Sequence, residues 1–159
     1  MEKIDKLLKH PLYKECQQKI DMAELDRIFC KHGIEHALDV ARIFYIKVLE
    51  KNMPYQKEIV YAAALLHDLG RSRQYEEGVL HHEAGTEIAL KILEECDYEK
   101  DEIIMITKAI QSHRISNENQ DFFSRMLYEA DKESRNCYSC KARKECYWTE
   151  ERKNKTIIY

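Results

Sequence analysis

The sequence predicts an all-α protein, and three observations support this class. The chain of 159 residues contains only 4 glycines and 2 prolines, which disfavours the turn-rich sandwiches and barrels of β proteins. Apolar residues recur at helical spacing along most of the chain. Strand-like character is limited to the last residues, 156–159, which read TIIY. A chain of this length is expected to form one ordinary domain around a single core.

The helices predicted for the N-terminal half are separated by helix-breaking residues. Residues 2–20 are charged and contain Pro11, which predicts one or two short helices. Apolar residues spaced three and four apart predict a helix over Ile34–Glu50. The segment 59–66 is apolar on every side and is therefore expected in the middle of a bundle. Gly70 is predicted to be the C-terminal stop of that helix.

The C-terminal half is expected to begin with a loop and to continue with three helices. The loop is predicted over Arg71–Leu80, which shows no regular apolar spacing. The apolar pattern then predicts helices over Thr86–Glu95, Glu102–Gln111 and Asp121–Arg135. Most of the chain is thus predicted to be a helical bundle.

The chain is predicted to form one structural unit with three segments. We expect an N-terminal helical segment over 1–25, a main domain over 26–135 and a cysteine-bearing extension over 136–159.

No apolar run approaches the roughly 18 residues of a membrane span, and no apolar stretch of a secretory signal follows Met1–Lys6. The net charge of −3 argues against a general nucleic-acid binder. We expect a cytoplasmic protein without membrane contacts, in which the 6 cysteines are thiols or metal ligands.

Several histidines and aspartates stand where the helical pattern calls for buried residues. His67-Asp68 follows the most apolar segment of the chain, and burying such groups unpaired costs several kcal/mol. One such histidine would more often be a core residue, but here the polar positions fall on several predicted helices. They are His36, His67, Asp68, His81, His113 and Asp131. Packed into one bundle they could converge on a metal centre, and imidazole with carboxylate suits Fe, Mn, Zn or Ni.

The order of these residues resembles the HD superfamily of metal-dependent phosphohydrolases. The family pattern is a first His, a His-Asp pair and a distant Asp, which His36, His67-Asp68 and Asp131 match. The matching segments read IEHALDVA, ALLHDLG and EADK. The resemblance covers about Asp26–Arg135 and implies an HD-domain helical bundle that binds one or two divalent metals, such as iron or manganese.

Two further histidines extend the resemblance to HD proteins that hold a second metal. His81 begins a His-x-x-x-Gly segment and His113 ends a predicted helix, as the two additional ligands do in those proteins. The resemblance then implies that Asp68 bridges the two metals, with His82 as the competing candidate for His81. The six-ligand pattern is similar to that of the bacterial HD-type symmetrical dinucleoside tetraphosphatases, which use a di-iron centre. Cyclic-dinucleotide phosphodiesterases share the pattern, but their Gly-Tyr-Pro signature does not occur in this sequence.

The resemblance implies hydrolysis of a phosphoester or phosphoanhydride of a nucleotide-type substrate by a metal-activated water. Asp68, Arg71 and Lys132 are then the expected catalytic residues. The residues expected to contact substrate phosphate are Arg71, His82, Lys132 and Arg135. Residues 132–155 carry eight Lys or Arg against four Glu, a net +4 within a chain of net −3, which suits phosphate but is also common on solvated surfaces.

Three other functions remain open from the sequence. The first is a mononuclear HD nucleotidase in which His81 and His113 only bind substrate phosphate. The second is an HD-type di-iron oxygenase, which would need iron and consume oxygen. The third is a non-catalytic metal-binding regulatory module. A homo-oligomer is compatible with all of them.

The C-terminal cysteines predict a possible second metal site. Cys137-x-x-Cys140 followed by Cys146 is typical of part of a zinc or iron–sulfur site, which needs a fourth ligand. Cys30 is the best candidate for it; the others are Cys16, Cys96 and His32. The alternative is that these cysteines are reduced thiols in an aromatic-flanked loop. A metal there would fasten the C-terminal segment beside the active site.

Overall fold

The protein is helical, which confirms the predicted class. The computed structural model describes residues 1–114 and 119–159. Those residues contain eight α-helices and one short 3-10 helix. The α-helices are α1 Glu2–Lys9, α2 Pro11–Ala23, α3 Ile34–Glu50, α4 Lys57–Leu66, α5 Arg71–Glu77, α6 His81–Glu95, α7 Lys100–Ser112 and α8 Phe122–Glu133. The 3-10 helix covers Cys137–Ser139.

Helix α4 occupies the centre of the bundle, as its apolar sequence predicts. It packs against α1, α3 and α7, and every side chain from Ala62 to Leu66 is buried. Helix α8 packs against α3 and α7, and α6 packs against α5 and α7. The side chains of α1 and α2, including Leu7 and Ile20, join the same hydrophobic core. The two ends of α4 are thereby fixed by neighbouring helices on several sides.

The prediction of a loop over Arg71–Leu80 is wrong, because Arg71–Glu77 forms α5. The helix ends at Gly78, whose φ of 74° is in the left-handed region that favours glycine. Only Ser72 is buried on this helix, so the sequence has no apolar stripe that could reveal it. Helix α5 is therefore stabilised by its position between α2 and α6 rather than by an amphipathic pattern.

The expectation that Gly70 ends a helix is also wrong, and glycine is needed at this position for a different reason. Helix α4 already ends at Leu66, and the φ of Gly70 is −63°, which any residue can adopt. A Cβ atom at this position would lie 1.9 Å from the carbonyl oxygen of His81 and 2.4 Å from the backbone nitrogen of Gly85. Glycine is required here because the start of α6 approaches the chain too closely for a side chain.

The predicted cysteine-bearing extension is present and folds back onto α8. Asn154 Nδ2 lies 2.8 Å from the carbonyl oxygens of Lys132 and Arg135 and 3.3 Å from that of Glu133. These donations satisfy carbonyls that the end of a helix leaves without partners.

The strand character predicted for 156–159 is wrong. Within the described ranges these residues form no strand, and Ile157 and Ile158 are exposed. None of the other described residues forms a strand with which they could pair. Among the helices described, none is long and apolar enough to span a membrane.

Candidate metal centre

The six predicted ligands come from five different helices or their ends. His36 lies in the first turn of α3, and His81 is the first residue of α6. His67 and His113 follow the last residues of α4 and α7, and Asp131 lies near the end of α8. The side chains are buried, with the exception of the half-buried His36. The bundle therefore brings together residues that are up to 95 positions apart, from 36 to 131.

One group of potential ligands consists of His36, His67, Asp68 and Asp131, whose ligand atoms all lie within 4.8 Å of one another. His36 Nε2 is 3.2 Å from Asp131 Oδ1 and 3.8 Å from Asp68 Oδ2. His67 Nε2 is 3.1 Å from Asp68 Oδ2. Two imidazoles and two carboxylates at such distances could hold one divalent cation.

A second group shares Asp68 with the first and adds His81 and His113. Asp68 Oδ1 is 3.7 Å from His81 Nε2 and 3.8 Å from His113 Nε2, and the two histidine nitrogens are 3.3 Å apart. One carboxylate therefore faces both groups with different oxygen atoms. His82 is not part of either group. The structure thus brings His81, rather than its neighbour, towards Asp68.

The hydrogen bonds of three histidines fit metal binding through Nε2. His67 Nδ1 donates to the carbonyl oxygen of Ala64 at 2.7 Å, and His113 Nδ1 donates to that of Ile110 at 2.5 Å. Ser134 Oγ donates to a backbone carbonyl and so accepts from His36 Nδ1 at 3.3 Å. The opposite nitrogens then carry lone pairs directed to the centre, which is how metal-binding histidines are oriented.

Two of these histidine nitrogens have no hydrogen-bond partner among the described residues. In the described part of the chain, the Nε2 atoms of His36 and His67 are buried and make no hydrogen bond. A buried polar nitrogen without a partner is costly, and a cation would satisfy both. The residues present therefore fit a bound metal.

The protonation states also favour cation binding. Burial lowers the pKa of His36 to about 4 and that of His81 to about 3, so both imidazoles are neutral at pH 7, as metal ligands must be. Burial alone would raise the pKa of Asp68, but His67 and Arg71 hold it well below its usual range. Burial would lower the pKa of His67, but Asp68 and Asp131 raise it, which shows that this position attracts positive charge.

Cationic side chains surround the two aspartates. Arg71 Nε donates to Asp68 Oδ1 at 2.8 Å. Lys132 Nζ donates to Asp131 Oδ2 at 2.6 Å, and Arg135 Nη2 donates to Asp131 Oδ1 at 2.8 Å. The three cations that the sequence predicted to contact phosphate are therefore beside the centre.

A cavity of about 270 Å³ opens on this centre, and its wall is strongly basic. Eight lysine and arginine side chains line it, against the single carboxylate of Asp131. Arg143, Arg152 and Lys153 of this wall come from the C-terminal extension, as do Tyr147 and Trp148. His81 and His113 lie in the same wall, whereas His82 does not. The extension thus forms part of the wall of the cavity over the His/Asp centre.

Sequence reasoning missed a buried hydrogen-bond network beside the centre. His32 Nδ1 donates to Glu24 Oε1 at 2.5 Å, and the same oxygen accepts from the hydroxyl of Tyr75. His32 lines the cavity, and its Nε2 is 4.0 Å from Asp68 Oδ2. Burial opposes ionisation of Glu24, but the bonds from His32 and Tyr75 lower its pKa to about 2. No local pattern links these residues, because they lie on three separate segments.

The four cysteines proposed for a second site all line this cavity. Cys30, Cys137, Cys140 and Cys146 are free thiols there, whereas Cys16 and Cys96 are buried in the helical core. His32 bonds Glu24 through Nδ1, and its Nε2 lies 4.0 Å from Asp68 Oδ2, so this ring belongs to the surroundings of the His/Asp centre.

Comparison with known proteins identifies the family. The HD domain family model matches residues 33–138, which is more than half of the chain. The chain belongs to the HD domain family. This confirms the resemblance that His36, His67-Asp68 and Asp131 predict.

Two relatives extend this comparison. An uncharacterized protein of Clostridium beijerinckii (strain ATCC 51743 / NCIMB 8052) is 45% identical over 136 residues, covering 86% of this chain and 85% of its own. The crystal structure of a predicted HD superfamily hydrolase from an uncultured Thermotogales bacterium has a TM-score of 0.63 and 26% identity. That match covers 88% of this chain and 80% of the other. This HD domain is thus similar to that of a predicted hydrolase and carries a His/Asp cluster that could hold metal.

Proposed function

We propose that the protein is a metal-dependent phosphohydrolase that cleaves a phosphoester or phosphoanhydride of a nucleotide-type small molecule. The observation that carries this proposal is a basic cavity that opens on the His/Asp centre. Eight lysine and arginine side chains around one carboxylate form a wall suited to a substrate with several negative charges. The His/Asp centre lies where the reacting phosphate of such a substrate would be bound.

The two ligand groups define how metals would be held. His36, His67, Asp68 and Asp131 would hold one ion, and Asp68, His81 and His113 would hold a second. Bound divalent metals, with iron and manganese as our candidates, would activate a water and neutralise charge on the phosphoryl oxygens. Asp68 would connect the two ions, because each of its oxygens faces a different group.

The remaining charged residues would position the substrate. Arg71 binds Asp68 through Nε, which leaves the other nitrogens of its guanidinium for phosphate oxygens. Lys132 and Arg135 would neutralise charge on the Asp131 side of the centre. The structure gives no support to His82 as a substrate contact, since it does not line the cavity.

Aromatic residues of the same cavity support a nucleotide rather than a simple phosphate ester. Phe29, Tyr147 and Trp148 line its wall, and the rings of Phe29 and Tyr147 are in edge contact at 6.4 Å between centroids. Aromatic faces bind nucleobases by stacking, while the cations bind the phosphates. One cavity therefore offers contacts for both ends of a nucleotide.

The test is phosphate release from a panel of nucleotides and dinucleoside polyphosphates by anaerobic, metal-loaded protein. Asp68→Ala removes the residue shared by both groups, so we expect metal loss and a decrease in kcat/KM of about 1,000-fold or more. Asp39→Ala, on the exposed side of α3, is the matched control and should leave both unchanged. Retention of full metal content and activity by Asp68→Ala would contradict the proposal.

His113→Ala separates a dinuclear centre from a mononuclear one. This substitution leaves His36, His67 and Asp131 in place, so we expect one of two metals to remain and activity to fall strongly. Metal content by mass spectrometry measures the first effect. One metal per wild-type chain with phosphate release would support the mononuclear nucleotidase, and oxygen consumption without phosphate release would support the oxygenase.

A further inference from the structure

Four cysteines from two distant parts of the chain line one cavity. Cys30 lies in the connection between α2 and α3, and the other three belong to the extension after α8. The two segments contact each other through the rings of Phe29 and Tyr147, next to Cys30 and Cys146. The fold therefore supplies the fourth cysteine that the C-terminal sequence lacks.

The spacing of these thiols is wider than zinc requires. Four sulfurs bound to one zinc at about 2.3 Å would lie roughly 4 Å from one another. In the described residues, the groups whose ligand atoms fall within 4.8 Å of one another consist of histidine and aspartate, and no cysteine takes part. The four thiols line one cavity without gathering at zinc-binding distances, which suits a larger inorganic group.

The charges around the thiols suit an anionic group. Arg27, Arg143 and Arg152 line the same wall, and Arg27 Nε donates to the carbonyl oxygen of Cys30 at 2.9 Å. Arg135 is 7% exposed, and in the described structure its Nε makes no hydrogen bond. Its charge opposes the rise that burial causes in the pKa of the Cys30 thiol. A buried N–H donor is thus left beside the thiols.

We infer that Cys30, Cys137, Cys140 and Cys146 bind an iron–sulfur cluster of the four-iron, four-cysteine type. The cluster fastens the C-terminal extension over the His/Asp centre and fills the cysteine side of the cavity. Arg135, which donates to Asp131, lies between the cluster and that centre. This site shares the basic wall of the cavity with the proposed substrate site, and cluster binding does not depend on hydrolase activity.

Acid-labile sulfide tests the inference directly, because the His/Asp centre could hold iron but not sulfide. The full chain is stripped with chelator and incubated anaerobically with inorganic sulfide and equal amounts of ferrous and ferric iron, which together match the two-ferrous, two-ferric level of a four-iron cluster. We expect about four sulfides per chain, as a four-iron, four-cysteine cluster contains. His67→Ala should lower the iron content and leave the sulfide content unchanged, so a failed metal centre is distinguishable from a failed cluster.

Cysteine variants identify the ligands. Cys30→Ser and the half-buried Cys140→Ser should each lower bound sulfide at least three-fold, whereas Cys16→Ser and Cys96→Ser should not. Circular dichroism checks that each variant is folded. No sulfide uptake by folded wild-type protein would overturn the inference. One zinc bound by these cysteines, or equal sulfide loss in all four variants, would overturn it as well.

Discussion

The His/Asp centre and the cysteine-bearing extension present side chains that could ligate metal to one cavity, but the two regions are held in different ways. The centre is built on the ends of buried helices, and hydrogen bonds from His36, His67 and His113 fix the orientation of its imidazoles. The extension has little regular structure beyond Cys137–Ser139. Its position depends on a few polar contacts, among them those of Asn154 with the end of α8.

This difference predicts which region would gain more rigidity from a bound ligand. The centre is already ordered by the packing of five helices, so metal would add charge and chemistry more than structure. The extension buries few apolar side chains of its own, and small or irregular segments of this kind commonly depend on a metal or covalent link. Substitutions that act on one region alone should therefore have separable effects.

The largest effect should come from Gly70→Ala, which acts on the centre. The added methyl group would collide with backbone atoms of His81 and Gly85, so α6 must move and take His81 with it. We expect a loss of about 3 kcal/mol in the free energy of unfolding and reduced metal binding by the second group. Denaturant titration and metal analysis measure the two effects.

Gly33→Ala is the matched control for this prediction. A Cβ there would meet only side-chain oxygens at 3.3 Å or more, which can move. An unchanged midpoint and metal content in Gly70→Ala would contradict the idea that this backbone contact sets the position of His81.

A smaller effect is expected from Glu24→Gln, which acts in the network beside the centre. The pKa of Glu24 in the folded protein is about 2, below the ordinary value of 4.5. Its contribution to stability is therefore present above pH 4.5 and is lost as the pH falls towards 2. We expect the substitution to cost about 2 kcal/mol at pH 7 and to flatten the pH dependence in this window.

Thermal unfolding from pH 7 to pH 2 checks this prediction. Glu15→Gln, on the exposed side of α2, is the control and should match the wild type. Equal acid sensitivity of Glu24→Gln and the wild type would show that the network with His32 and Tyr75 does not stabilise the fold.

The smallest effect should come from Asn154→Ala, which acts on the extension alone. Loss of its donations to the end of α8 should cost about 1 kcal/mol and expose the extension to protease. Metal bound by the His/Asp centre should be unchanged. Limited proteolysis against the neighbouring Lys155→Ala measures this, and metal loss without faster cleavage would mean that the extension supports the centre itself.

Much of the fold and of the candidate centre could be predicted from the sequence. The sequence predicts helices α3, α4, α6, α7 and α8, because their apolar residues recur with the helical period. His113 and Asp131 stand out because they are polar residues on those apolar stripes. Helix α5 could not be predicted, because a single buried residue gives no period.

The sequence by itself determined the helical class, the family and the set of six candidate ligands. Each of these depends on residue patterns that lie within single helices or at their ends. The tertiary structure alone decided that Gly70 needs to be glycine because the start of α6 lies against it. It also distinguished Cys30, which lines the cavity with the cysteines of the extension, from the other candidates Cys16 and Cys96. It also decided that Glu24, His32 and Tyr75 form one network. These features depend on which segments pack together. Contacts between residues far apart in the chain can be seen only in the folded bundle.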